Sequence, residues 1–188
     1  MSEENETERR SRWQACYTEN ADEPAQACAV LQHHAHLLPA HGTALDLACG
    51  RGGNALFLAR RGLRAHAWDY ADSALAALAR AAQAEGLAIA TACRDVTRDP
   101  PAPGSFDAIV VSNFLHRPLF PALTAALRPG GLLFYETWLG PRRERGPISE
   151  AFRLWAGELV ALCEGLELLH CGEEGDRAWV VARAPSSC

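Results

Sequence analysis

Short apolar blocks alternate with longer amphipathic stretches along this chain. Residues 43–48, 63–68, 87–92, 106–112 and 132–137 have strand length and are rich in Ala, Val, Leu, Ile and Phe, which predicts five strands. Between them the pattern predicts a helix over 53–61 that ends at Gly62, and an alanine-rich helix capped by Asp72 or Ser73 that stops at Gly86. A further helix over 118–127 closes at Arg128-Pro129-Gly130-Gly131, and the proline-rich stretch 99–104 suits a loop and no central strand. Upstream, 10–17 reads as a short helix and 22–37 as a second one, with Pro24 in its first turn. Downstream come an arginine-rich loop over 140–147, a helix over 149–163, and two strands over 166–171 and 178–182. The tight polar connection 172–176 makes that last pair antiparallel. Strands alternating with helices predict a mostly parallel sheet.

The chemistry concentrates after the first strand. Asp46-Leu47-Ala48-Cys49-Gly50-Arg51-Gly52-Gly53-Asn54 is a strand end, a glycine-rich turn and a helix start. Gly50 and Gly52 permit a sharp bend and a close ligand approach, and the following helix directs free N–H groups at a carboxylate or phosphate. Asp69 lies about nineteen residues past Gly50, at the end of the next apolar run, where an acid usually grips ribose hydroxyls. The stretch Gly50 to Ala55 also satisfies the dinucleotide pattern, so the turn alone does not separate NAD from other adenosine cofactors. Asp46 favours a ligand with a cationic amine, because a buried carboxylate beside the turn repels a pyrophosphate. S-adenosylmethionine (SAM) carries such an amine.

The 188 residues with 48% hydrophobic content are enough for one α/β domain with its own core. A net charge of −5 argues against nucleic acid as the main partner and favours a small substrate. No apolar run approaches membrane-spanning length, and the acidic start lacks the features of a secretory signal, which points to a cytoplasmic protein without membrane association. The seven cysteines are spread out with no C-x-x-C pair, so neither a disulfide framework nor a zinc knuckle is indicated. Adjacent histidines in His33-His34-x-His36 diverge on a helix and no Cys or acid completes a set, so no metal site is expected.

With these residues the chain resembles the class I SAM-dependent methyltransferases over nearly its whole length. Three phrases resemble the tellurite-resistance and thiopurine-type small-molecule branch: Asp46-Leu47-Ala48-Cys49-Gly50, the segment from Asn113 to Arg117, and Tyr135-Glu136-Thr137. The resemblance implies a Rossmann-like α/β fold with helices on both faces of a seven-stranded, mostly parallel sheet, in the order 3-2-1-4-5-7-6 with strand 7 antiparallel. It implies SAM as cofactor and S-adenosylhomocysteine (SAH) as product. By this resemblance Asp46 and the turn backbone at Ala48, Cys49, Gly50 and Gly52, with Asn54, hold the methionine end. Asp69 takes the ribose, Tyr70 lies beside the adenine, Asp95 and Val96 read its edge, and Ser112 and Asn113 close the site. Ala48 stands where the family has its first glycine, a departure that a negative φ leaves harmless and a positive φ makes disruptive.

The acceptor side is read from the residues that lie over the methyl group. Residues 1–40 form an N-terminal helical cap over the 41–188 domain, the two making one structural unit, and Trp13 and Tyr17 share a face of its first helix with Arg12. His116 and Arg117 are the catalytic candidates, and Arg142, Arg143 and Arg145, on a loop flanked by Gly140 and Gly146, form a cationic lid for an anionic acceptor. The leading function is methyl transfer to a small molecule, with a thiol or chalcogen oxyanion as the acceptor. An NAD-linked oxidoreductase and a non-catalytic SAM-binding module remain open at this stage, and the oligomeric state is unassigned.

Overall fold

Seven strands form one sheet in the computed structural model, which describes residues 25–142 and 146–186. In chain order they are β1 (Thr43–Leu47), β2 (Arg64–Asp69), β3 (Ile89–Cys93), β4 (Phe106–Ser112), β5 (Leu127–Trp138), β6 (Glu167–Glu174) and β7 (Arg177–Arg183). They lie in the order β3-β2-β1-β4-β5-β7-β6, the order expected from the sequence. The first five run parallel, and β7 is antiparallel to both β5 and β6. The helices are α1 (Ala29–His33), α2 (Gly53–Arg60), α3 (Asp72–Ala84), α4 (Phe120–Ala126) and α5 (Glu158–Leu162).

Alternation along the strands assigns the two faces. Ala44, Ala65, Ala67, Ala108, Val110, Leu132 and Phe134 point to the face covered by α1, α2 and α3, packing with Val30, Leu31, Leu58, Leu75 and Leu78. Leu45, Leu47, Ile109, Val111, Leu133 and Tyr135 point to the opposite face, against Phe120, Leu123 and Leu159 of α4 and α5. No helix connects β3 to β4; the loop between them leaves a groove beside β2 lined by His66, Trp68, Arg94 and Phe106. The Arg94 guanidinium covers the Trp68 ring there, 4.1 Å from its centroid.

Three sequence expectations are corrected. The helix read over 22–37 is, in its described part, one short α-helix followed by a 3-10 turn (Ala35–Leu37). The paired glycines before the fifth strand lie inside β5, which begins at Leu127 opposite Phe106, and the pairing shifts register there. The helix read over 149–163 is broken: a 3-10 turn (Glu150–Phe152) is followed by extended chain at Arg153, Gly157 is left-handed at φ +75°, and only α5 is regular helix. The cause is Arg153. Its side chain is buried and donates to the carbonyls of Gly140, Leu139 and Pro147, while Leu154 bridges Leu139. Satisfying a buried guanidinium outweighs helix propensity at these residues. The helix read over 10–17, with Arg12, Trp13 and Tyr17, and the loop residues Arg143 and Arg145 lie outside the described residues, as does most of the 1–40 cap.

Candidate active site

The strands bring four acceptor side chains to one place. Asp46, Asp69, Ser112 and Glu136 sit at the carboxyl ends of β1, β2, β4 and β5, all on the face of α1 to α3 by the same alternation. This is where the chain order reverses between β1 and β4, the position at which open α/β sheets bind ligands.

Two buried aspartates fix the turn from Ala48 to Gly52 and the helix that follows it, Asp69 through the turn itself and Asp46 through the first residues of α2. Asp46 is fully buried; Asn54 Nδ2 donates to its Oδ1 at 3.1 Å, and the Ala55 amide to its Oδ2 at 3.0 Å. Asp69 accepts from the Gly50 amide at 2.8 Å and from the Ala71 amide at 2.9 Å. Burial pushes the Asp46 carboxyl up to about 7 against the pull of Asn54 and Ala55, with Asp69 adding repulsion. Asp69 is also raised, again chiefly by burial. All four of these donors are uncharged, so the pair forms a buried site of negative potential that suits a cationic ligand and opposes a pyrophosphate. Each bonded carboxylate oxygen keeps a second lone pair for a ligand.

Ala48 has φ +53°, the disruptive alternative of the sequence reading, and the turn forms regardless. Gly52 is also left-handed at φ +74°, and a Cβ there would meet Leu78. Gly53 faces the chain upstream: a Cβ would lie 2.2 Å from the Gln26 carbonyl oxygen. Residues 26–28 therefore cross directly over the start of α2, and Asn54 Oδ1 accepts from the Cys28 amide at 2.9 Å. Asn54 Nδ2 also donates to Ser112 Oγ at 3.0 Å, so one side chain joins the turn, β1, β4 and the crossing segment. Cys49 is buried in the turn, and burial holds its thiol well above the ordinary value.

The adenine-side candidates are less convergent. Tyr70 is half-buried directly after Asp69. Asp95 accepts from the amide and hydroxyl of Thr97, closing a local turn, and Val96 is buried in the core. Arg94 and Asp99 pair beside it, as a polar loop would.

The segment after β4 is braced rather than loose. Asn113 is left-handed at φ +56°, its amide donates to the Glu136 carbonyl, and its Oδ1 accepts from Arg177. The Tyr135 hydroxyl donates to the Phe114 carbonyl at 2.8 Å, and the half-buried His116 follows. Arg117 departs from the acceptor role expected of it. Its guanidinium donates to both Glu158 oxygens and to the carbonyls of Ala151 and Arg153, fastening the 150–158 segment against this loop. That commitment makes it a structural cation. Arg142 is exposed on the loop after β5.

Residues 44–131 match the family model described as a methyltransferase domain. That stretch is similar to a methyltransferase domain, and the sheet order is that of the class I SAM-dependent methyltransferase fold, in which SAM is the cofactor and SAH the product. No curated protein sequence matches it significantly. Among solved structures it is similar in fold to TehB from Haemophilus influenzae, at 22% identity and TM-score 0.74 over 92% of this chain and 67% of that one. It is likewise similar to a SAM-dependent methyltransferase from Aquifex aeolicus, at 18% identity and TM-score 0.70 over 93% and 97%. The [4+2]-cyclase SpnF is a third, at 17% identity and TM-score 0.71 over 88% and 86%. Among the described residues no helix is long and apolar enough to cross a membrane, and no three His, Cys, Asp or Glu side chains group as metal ligands.

Glu136 and Arg177 are the site residues that the sequence reading missed. Glu136 Oε2 accepts from the Val30 amide and Oε1 from Arg177, which ties the crossing segment to β5 and β7. The available signal was an acid at the end of the fifth strand, in the phrase Tyr135-Glu136-Thr137.

Proposed function

We propose that this chain is a SAM-dependent methyltransferase that acts on a small soft nucleophile, a thiol or a chalcogen oxyanion, aligned over the carboxyl edge of β1 and β4. The observation that carries the cofactor half is the pair Asp46 and Asp69, buried beside the turn and held only through uncharged donors. Asp69 supplies carboxylate lone pairs for ribose hydroxyls. Asp46 and the turn face the methionine end, Tyr70 with Asp95 and Val96 flank the adenine, and Ser112 and Asn113 close the site. Bound SAM supplies an electrophilic sulfonium methyl. The protein then has to hold the nucleophile in line and exclude water, tasks suited to the braced loop carrying His116 and to the chain crossing Gly53. A soft nucleophile is already ionised or easily ionised near neutrality, so positioning counts for more than a strong base.

The similarity to a [4+2]-cyclase supports one second reading, a site that binds SAM but serves other chemistry. The experiment has two stages. Thermal melts with SAM, SAH and NAD are expected to show stabilisation by the first two and none by NAD, as mass action requires. A screen with methyl-labelled SAM across thiols, oxyanions and carboxylates is then expected to label a thiol or an oxyanion. Stabilisation without labelling of any acceptor would favour the second reading.

A further inference from the structure

Glu136 belongs to no part of the cofactor set read from the sequence, yet it sits where three separated parts of the chain meet. Its side chain is 12% exposed. Oε2 accepts from the Val30 amide at 2.9 Å, in the first turn of α1, and Oε1 accepts from Arg177 Nη2 at 2.7 Å. Arg177 passes on to Asn113 Oδ1 at 2.7 Å and lies over the Trp138 ring at 4.5 Å. The Glu136 carbonyl accepts from the Asn113 amide at 2.9 Å. One residue thus holds the crossing segment 26–30 on one side and, directly and through Arg177, the left-handed start of the 113–117 loop on the other. That crossing segment packs on Gly53 and bonds Asn54, so its position fixes how closed the turn is.

We propose that Glu136 is a positioning residue for methyl transfer: its carboxylate latches the segment over the cofactor turn and, through Arg177, sets the loop that presents the acceptor. Both of its partners are donors, an amide N–H and a guanidinium, so only a group with two acceptor oxygens satisfies both. A glutamine has one oxygen and turns its NH₂ toward the remaining donor. Opening of the segment then becomes easier, and a bound cofactor product leaves faster.

The inference rests on the SAM site proposed above, and the test separates the two by beginning with wild-type protein. SAH binding to the wild type establishes the site; its failure would overturn that reading before Glu136 is addressed. Glu136→Gln is then compared with wild type for SAH dissociation by stopped-flow displacement, and for hydrogen exchange of residues 25–34 and 108–111 with SAH bound. The expected result is SAH release about tenfold faster and exchange at 25–34 about tenfold faster, with 108–111 unchanged; tenfold corresponds to about 1.4 kcal/mol. Arg177→Met is expected to slow single-turnover transfer from SAM more than it speeds SAH release, because it frees Asn113 while leaving the Val30 bond. An unchanged SAH release rate in folded Glu136→Gln would overturn the proposal. So would exchange that rises equally at 25–34 and 108–111, since that pattern marks loss of global stability alone.

Discussion

Asn54 donates through Nδ2 to the buried carboxylate of Asp46 at 3.1 Å, and with its other side-chain atom accepts from the Cys28 amide at 2.9 Å. The glycine turn is thereby locked to the first strand and to the chain that crosses it. Asn54→Ala would leave Asp46 with the Ala55 amide as its hydrogen-bond donor, and the Cys28 amide without that acceptor. A loss of about 2–4 kcal/mol of folding stability is expected from these unmade bonds in a buried setting. Urea denaturation at neutral pH measures it. A loss below about 0.5 kcal/mol, the ordinary range for surface substitutions, would mean that the side chain does not make these bonds in solution.

Asp69 is expected to show a double effect. Removing its carboxylate deprives the Gly50 and Ala71 amides of their acceptor, so Asp69→Ala should lower folding stability by about 1–3 kcal/mol. SAH affinity should also fall, by roughly ten- to a hundredfold, if the remaining lone pairs take ribose hydroxyls. Calorimetric titration of the folded variant decides this, and retained SAH affinity would remove Asp69 from the cofactor site.

The raised Asp46 carboxyl fixes the sign of a pH effect. Its ordinary value is 3.8 and its folded value about 7, so between those limits the folded protein binds more protons than the unfolded chain. Stability therefore falls as pH rises from about 4 to 7, the reverse of a salt-bridged aspartate. Asp69 shifts in the same direction and adds to the slope. Melting of the cofactor-free protein should accordingly drop between pH 5 and pH 8, and Asp46→Asn should flatten the drop although it lowers stability at pH 5. Parallel curves for the two proteins would show that Asp46 is ionised throughout.

Much of this architecture was legible because its causes are local. Each parallel strand is a short, largely apolar run followed by polar or glycine-containing chain, and the spacing from Gly50 to Asp69 follows from one turn-helix-strand unit. What escaped the sequence depends on contacts between distant residues. Helical periodicity over 149–163 gave no warning that Arg153 would be buried and satisfied by carbonyls from 139, 140 and 147. Arg117 looked like a free cation at a ligand edge until Glu158, forty-one positions later, arrived beside it. Glu136 went unnoticed for the same reason, since its partners Val30 and Arg177 lie at opposite ends of the chain.

Ala48 offers a stability test with the opposite sign. An alanine at φ +53° carries a strain that glycine would not, of roughly 1–2 kcal/mol. Glycine adds freedom to the unfolded chain worth about 0.4–1 kcal/mol, so Ala48→Gly is expected to stabilise by a net ~0.5–1 kcal/mol. Chemical denaturation of the cofactor-free variant checks it. A destabilised Ala48→Gly protein would show that the methyl group contributes packing that outweighs the backbone strain.

His116 and Arg117 are neighbours on one braced loop, and their substitutions should separate. Arg117 bonds Glu158 and two carbonyls of the 150–158 segment, so Arg117→Ala is expected to cost about 1–3 kcal/mol of stability and to disturb transfer only as that segment loosens. His116 is half-buried on the loop that Tyr135, Glu136 and Arg177 hold at the carboxyl edge. An imidazole there can orient an acceptor or receive its proton, the role general acid–base catalysis values at about a hundredfold or more. His116→Ala should therefore slow single-turnover transfer from SAM, to whichever acceptor the wild type methylates, by about a hundredfold. SAH affinity should stay within about twofold, under ~0.5 kcal/mol. His116→Gln, which keeps a hydrogen-bonding side chain without a titrating ring, should recover transfer only if orientation is the imidazole's task. Normal turnover in His116→Ala would remove it from the acceptor site, and lost SAH affinity would assign it to the cofactor.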